Sequence, residues 1–436
     1  MKIALIGQDI PTLLPGLLTD ALFTAREPAS LAAEEKNPAM AEVLRGYGEA
    51  VLKKAGIGGS WLVSGDRKTV LSGADCVIYA GDCQIASRFA MDREALGSDA
   101  EGDPGLTDQA RVNGGLGGLM HALRAGEEIL RLTDAMDEVC PEALVINLGQ
   151  PMARTTEVFL LRGYRVFGLG RTPLKGASGA DAYLKRLKVP PERAEITTAG
   201  LPGFSFLIRL TDGKKDLTDR LKRAAKDGEL GALSRRWLDW WDALPVGDVT
   251  DLAEFLPAQP DFMPEERPEF GETVERRKER ILYMNTVQER GAEDREGAMA
   301  QLLLLSKVPP IRPMRLAMAL LRRESARLEA VTRRNGKNLP GLSPEAVIEA
   351  NLTLEEGAEK PEGILLPPAL REICGEIDAA NRLAARAAMG DREALREYVE
   401  TDPALEGLDR LYCMDVVEAL IRLHGDVLPR LAGEED

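Results

Sequence analysis

Residues 143–170 read ALVINLGQPMARTTEVFLLRGYRVFGLG, and this stretch decides the fold. ALVINLG is a short apolar run closed by glycine, the pattern of a strand buried on both faces. QPMARTTEVFLLRG reads as a helix, and YRVFGLG is a second apolar run ended by glycine. Two strands joined by a crossover helix pair in parallel, so the stretch predicts a βαβ unit. The same alternation runs upstream. KIALIG, GGSWLVSG and DCVIYAG read as strands, and PTLLPGLLTDAL and GLMHALRAGEEILRLTDAMDEVC as helices. Short connections between such elements predict a parallel sheet covered on both faces, with ligands at the carboxyl ends of its strands. The loops at those ends are GQDI, AGDCQ, NLGQP and GLGRT.

After about residue 190 the texture changes. EITTAGLPGFSFLIRLT reads as extended chain, and SARLEAVTRRNGKNLPGLSPEAVIEANLTL as strand, loop and strand. The charged segment GETVERRKERILYMNTVQERGAEDREG reads as a solvated helix face or an ion-pairing interface, and the chain from PPALREICG onward as helical. The expected division is a Rossmann-like domain over 1–190 and an α+β domain over 191–436.

Composition narrows the function. At 436 residues, with 44% hydrophobic and 29% charged residues, the chain has the make-up of an ordinary globular protein. No apolar run reaches the ~18–20 residues of a membrane-spanning helix, and MKIALIGQDI reads as a first buried strand rather than a signal peptide; a cytoplasmic location is expected. A net charge of −15 argues against nucleic acid. Five cysteines form no CxxC pair and read as free thiols. With only two histidines, His121 and His424, mechanisms built on several histidines have little to draw on. A lactate- or malate-type dehydrogenase needs a catalytic histidine in its second half, and none lies between those two.

Five segments, in order, resemble glycoside hydrolase family 4, the NAD- and metal-dependent glycosidases built on the lactate/malate-dehydrogenase architecture. They are SGDRKTVLSGADCVIYA, GGLGGLMHALR (Gly114–Arg124), CPEALVINLGQPMARTTE, GDVTDLAEFLP (Gly247–Pro257) and NGKNLPGLSPEAVIE (Asn335–Glu349). The fourth is similar to the galactosidase and galacturonidase side of the family. The resemblance implies a Rossmann-like domain followed by a dehydrogenase-type α+β domain, and assembly as dimers or tetramers. It also implies a reaction in which bound NAD oxidises a sugar hydroxyl, a divalent metal polarises the sugar oxygens, and a base, often tyrosine, removes the acidified proton before the glycosidic oxygen leaves.

Several residues that the resemblance calls for are replaced. The family's metal ligands are a cysteine at one strand end and a histidine in a later turn; Gly170 and Gly203 occupy those places, and Arg171 follows the first. Glycine has no donor side chain, so Mn²⁺ is not expected. Arg171 reads either as a fixed charge where a metal stands in relatives, binding a carboxylate or phosphate, or as an ordinary surface arginine. The dinucleotide loop is reduced to Gly7, Gln8, Asp9 and Ile10, with one glycine and an added negative charge, so NAD is doubtful. Strand two is expected in LFTAREPASL, where Thr24 and Arg26 stand near the family's ribose-binding acids; an arginine there would suit a 2′-phosphate. Residues 200–260 hold no tyrosine, and WLDWW (Trp237, Trp240, Trp241) reads as core or as a stacking platform.

Asn147, Gln150, Arg88, Asp92 and Asn113 keep or approximate the family's residue types at substrate-facing positions, and Asp248 is the weak catalytic candidate. Asn147 and Asp248 read equally as loop caps. The leading expectation is a family 4-like protein that has lost its redox-elimination chemistry and is inactive or binds a sugar, a sugar acid or a partner, as a homo-oligomer. The alternatives are an active glycosidase of the galactosidase or galacturonidase branch, using NAD and a metal, and a metal-free NAD(P)-dependent redox enzyme.

Overall fold

The computed structural model describes residues 1–24, 30–55, 59–81, 85–97, 106–170, 180–247, 249–257, 289, 293–304 and 311–433. Six parallel strands open the chain: β1 (Lys2–Ile6), β2 (Ser30–Glu34), β3 (Trp61–Ser64), β4 (Cys76–Tyr79), β5 (Leu144–Asn147) and β6 (Val166–Leu169). They lie in the order β3-β2-β1-β4-β5-β6. The strand order therefore switches side between β1 and β4, the point at which such sheets bind ligands. Every residue of β4, β5 and β6 is buried, which explains their unbroken apolar runs.

The second half adds antiparallel strands to the same sheet. β7 (Ala194–Leu201) and β8 (Phe204–Asp212) form a hairpin, with β9 (Lys215–Asp216) and β10 (Leu244–Val246) on β8. β11 (Ala326–Arg334), β12 (Val347–Glu355) and β13 (Ala358–Lys360) follow, and β11 pairs with β6. The change expected near residue 190 is thus a change from parallel to antiparallel pairing within one continuous sheet. Much of the charged segment 271–297 lies outside the described residues.

Helices cover both faces. The helix Gly115–Val139 and the C-terminal helices Pro368–Ala388, Arg392–Thr401 and Arg410–Leu423 share one core with Val77, Tyr79 and Val145. The helices Ile10–Thr24, Pro38–Ala55 and Pro313–Leu321 share another with Ile3, Leu5 and Ile78.

One expectation is corrected here. Strand two is Ser30–Glu34, and the helix after β1 runs on to Thr24 through residues assigned to that strand. The apolar run LLTDALFT continues the helix, and the strand itself is Ser30–Glu34, buried from Leu31 on. The strand consequently ends on an acid, Glu34. Arg26 lies outside the described residues.

Candidate functional site

The loop after β1 folds back on its own sheet. Gly7 has φ +129°, and a Cβ there would lie 2.3 Å from the Ala80 carbonyl, so strand packing alone demands glycine. The Asp9 amide donates to Ala80 O (3.0 Å) and the Ile10 amide to Gly7 O (3.2 Å), while Pro11 has no amide hydrogen. A pyrophosphate needs open amides at this helix start. Here the Asp9 and Ile10 amides are engaged and Pro11 has none, and the Asp9 carboxylate is buried beside them. Glu34 stands at the end of β2, where a ribose would be held, but Arg67 takes its carboxylate through contacts of 3.0 to 3.1 Å. These residues do not fit a dinucleotide.

The strand ends nearer the middle of the sheet bring several motif residues together. Asn113 precedes the helix Gly115–Val139, and Glu254 Oε2 accepts from its backbone amide (2.7 Å), its side-chain Nδ2 (2.8 Å) and the Val112 amide (3.2 Å). Burial, aided by the charge of Asp251, pushes the Glu254 carboxyl up to about 8, against the donors of Asn113 and the charge of Arg111. Arg111 binds the carbonyls of Glu254 (2.8 Å) and Leu256 (2.6 Å) and fixes this segment from below. The Gly115 amide, at the helix start, is taken by Asp402 (2.9 Å).

Gly203 turns the β7–β8 hairpin at φ +79°. A Cβ on it would stand 3.2 Å from Phe255 and 3.9 Å from Asn113. The space a histidine would enter is walled by Phe255, which packs with Phe204, itself against Trp237 and Trp241. Trp237 and Trp241 are core residues, and Trp240 is exposed. Gly170 follows the end of β6 and offers no side chain. Among the described residues no three His, Cys, Asp or Glu side chains are grouped to hold a metal. The set does not fit a divalent ion.

Both histidines sit elsewhere, around Asp92. His424 Nε2 donates to Asp92 Oδ1 (2.6 Å), Arg124 to Asp92 Oδ2 (2.7 Å), and Arg124 also to His121 Nδ1 (3.1 Å). Burial alone would raise the Asp92 carboxyl; the His424 hydrogen bond and Arg124 outweigh it and hold the group below its usual range.

Two substrate candidates are held by partners within the protein. Asp92 is wholly buried in an ion cluster, and Asn147 is wholly buried with its amide on Thr155 (2.8 Å) and Thr156 (2.9 Å) and its oxygen on the Gly149 amide (2.8 Å). Arg88 pairs with Asp426 (2.9 Å). Gln150 accepts from the Met152 amide (3.2 Å), and Asn113 remains at the strand-end cluster. Arg171 and Asp248 lie outside the described residues. Sequence reasoning missed Glu254 and Phe255, although both stand in the quoted motif GDVTDLAEFLP; its DLAEF spacing is the signal that would have found them.

The sequence model of the family 4 glycosyl hydrolases matches residues 37–174, which include β4, β5, β6 and the helix Gly115–Val139. Over that stretch the chain is similar to this family. An alpha-glucosidase of Erwinia rhapontici is 26% identical over 231 residues, 52% of this chain. The chain spans about half the length of that curated relative (49%). A 6-phospho-alpha-glucosidase from gut microorganisms, solved with NAD and glucose-6-phosphate, superposes with a TM-score of 0.75 at 17% identity, over 99% of both chains. A 6-phospho-beta glucosidase from Thermotoga maritima gives 0.72 at 16% identity, over 98% of this chain and 99% of that one. At such identities the two structures carry the family 4 fold alone. The fold extends through the whole described chain, whereas the family model's match ends at residue 174, before Gly203 and Glu254.

Proposed function

We propose that this family 4-like protein no longer performs NAD- and metal-dependent glycoside cleavage and instead binds a sugar or sugar acid at the strand ends. The observation that carries the reading is the wall at Gly203: Phe255 stands 3.2 Å from the point where a ligand side chain would begin. The folded-back loop at Gly7–Ile10 supports it, because its amides are satisfied within the protein. The two histidines lie in the buried Asp92 cluster, His424 on Asp92 and His121 on Arg124, away from the strand ends. Asn113, held by Glu254, supplies a polar side chain beside the aromatic wall, and an apolar face with one oriented amide suits a pyranose ring.

The test is an assay of the purified protein on nitrophenyl galactoside and galacturonide, with NAD, Mn²⁺ and reductant. We expect nitrophenol release no faster than the blank. Turnover that requires both NAD and Mn²⁺ would overturn the reading. Calorimetry with NAD and NADP, with and without Mn²⁺, is expected to give no heat. Tight binding without metal would favour a metal-free redox enzyme on a sugar.

A further inference from the structure

Three helices of the outer layer, Arg392–Thr401, Arg410–Leu423 and Pro429–Ala432, flank a solvent-open pocket of about 410 Å³. Its lining includes Arg392, Arg396, Arg422, Glu418 and the apolar side chains Ile421 and Leu431. None of these residues belongs to the strand ends. The helix Gly115–Val139 lies between this layer and the sheet and shares a core with both.

Helical spacing produces the charge pattern. Arg392 and Arg396 are four residues apart and share one face; Glu418 and Arg422 are four apart on the opposing helix. Arg392 donates to Glu418 (2.5 Å) and to the Leu431 carbonyl, which fixes its guanidinium at the rim. Among the described residues lining the cavity, Glu418 is the one carboxylate facing three guanidiniums. Two positive charges are left uncompensated. Like charges at this spacing repel, and the chain carries 71 acidic residues against 56 basic ones. Three arginines gathered at one pocket give this otherwise acidic chain a local positive charge for an anion to meet.

We propose that this cavity binds a phosphorylated small molecule, with the phosphate dianion held by Arg396 and Arg422 and the remainder of the ligand against Ile421 and Leu431. A guanidinium presents two parallel N–H groups to phosphate, and two of them balance a dianion. A monocarboxylate would leave one charge over. The volume is that of a small-metabolite site.

The experiment is isothermal calorimetry of the full chain in chloride buffer, with inorganic phosphate as probe and acetate as the monoanion control. Saturable heat with phosphate at one site per chain is expected, and weaker heat with acetate. Arg396→Gln with Arg422→Gln should keep the melting temperature of the free protein, since both side chains are exposed, and weaken phosphate binding about tenfold or more. Glu418→Gln removes the one compensating charge and should tighten it. Absence of heat with phosphate overturns the proposal. So does equal affinity in the double variant, acetate binding as tight as phosphate, or weaker binding in Glu418→Gln.

Discussion

The strand-end cluster around Gly203 and the buried cluster around Asp92 treat polar chemistry in opposite ways. At Gly203, the place where the family resemblance calls for a metal-ligating histidine, there is only backbone, and an aromatic wall adjoins it. At Asp92 two arginine- and histidine-bearing helices converge on one carboxylate with no exposure to solvent. The lesson concerns motif residues. Asp92 and Asn147 keep the family's residue types because the fold needs their hydrogen bonds, so their presence says little about catalysis. Gly203 says more, because Phe255 adjoins the point where a side chain there would begin.

The largest expected effect breaks this contrast from the buried side. Asp92→Ala leaves Arg124 and His424 without their common acceptor in a site closed to water. Removing one partner of such a pair costs about 3–5 kcal/mol. Urea denaturation measures it, and a loss below about 1 kcal/mol would show that the cluster does not fasten the helices it joins.

Next in size is an attempt to restore the ligands. Gly203→His places a side chain at φ +79°, 3.2 Å from Phe255, and should cost about 1–3 kcal/mol through overpacking and backbone strain. With Gly170→Cys added, we expect no stoichiometric Mn²⁺ uptake by metal analysis of the desalted protein, and in a double-mutant cycle Gly203→His should cost less in the Phe255→Ala background, although Phe255→Ala alone costs about 3–5 kcal/mol. Tight Mn²⁺ uptake by the double variant with Phe255 intact would mean that the wall yields, and that the emptied position is only two side chains away from a metal site.

Much of the fold was legible in sequence because it rests on local signals. Apolar runs ended by glycine placed β1, β4, β5 and β6, and the charged, Leu-rich C-terminal stretch read correctly as helix. Strand two was misplaced because LLTDALFT satisfies helix and strand patterns alike over a short window, and only pairing with β1 decides. The site was less legible. The missing ligands were visible at Gly170 and Gly203, but the roles of the remaining polar residues depend on partners far away in sequence. Asp92 meets His424, and Asn113 meets Glu254; no local pattern announces either contact. The role of Phe255 is a matter of direction, which spacing does not encode.

The smallest effect separates the two regions by the sign of their pH dependence. Beneath the β7–β8 hairpin, Glu349 of β12 lies opposite Gly200 and accepts from Ser205 Oγ (2.7 Å). Complete burial pushes its carboxyl up to about 7, with the Ser205 hydrogen bond opposing. A group whose pKa is raised on folding stabilises the protein below its unfolded value, near 4.5, and that stability is lost as pH rises toward 7. Asp92 is the reverse. Its lowered value contributes stability above the ordinary carboxylate pKa, which is lost as pH falls through the folded value. Glu349→Gln keeps the acceptor for Ser205 and removes the titration, so it should flatten the decline between about pH 4.5 and 7 by about 1–3 kcal/mol while leaving the acid limb alone. Asp92→Asn should flatten the acid limb and leave the neutral range alone. Denaturation midpoints taken across pH 3–8 distinguish the two. If Glu349→Gln left the neutral slope unchanged, the hairpin would be open to water at Glu349, and the closed wall inferred at Gly203 would lose its floor.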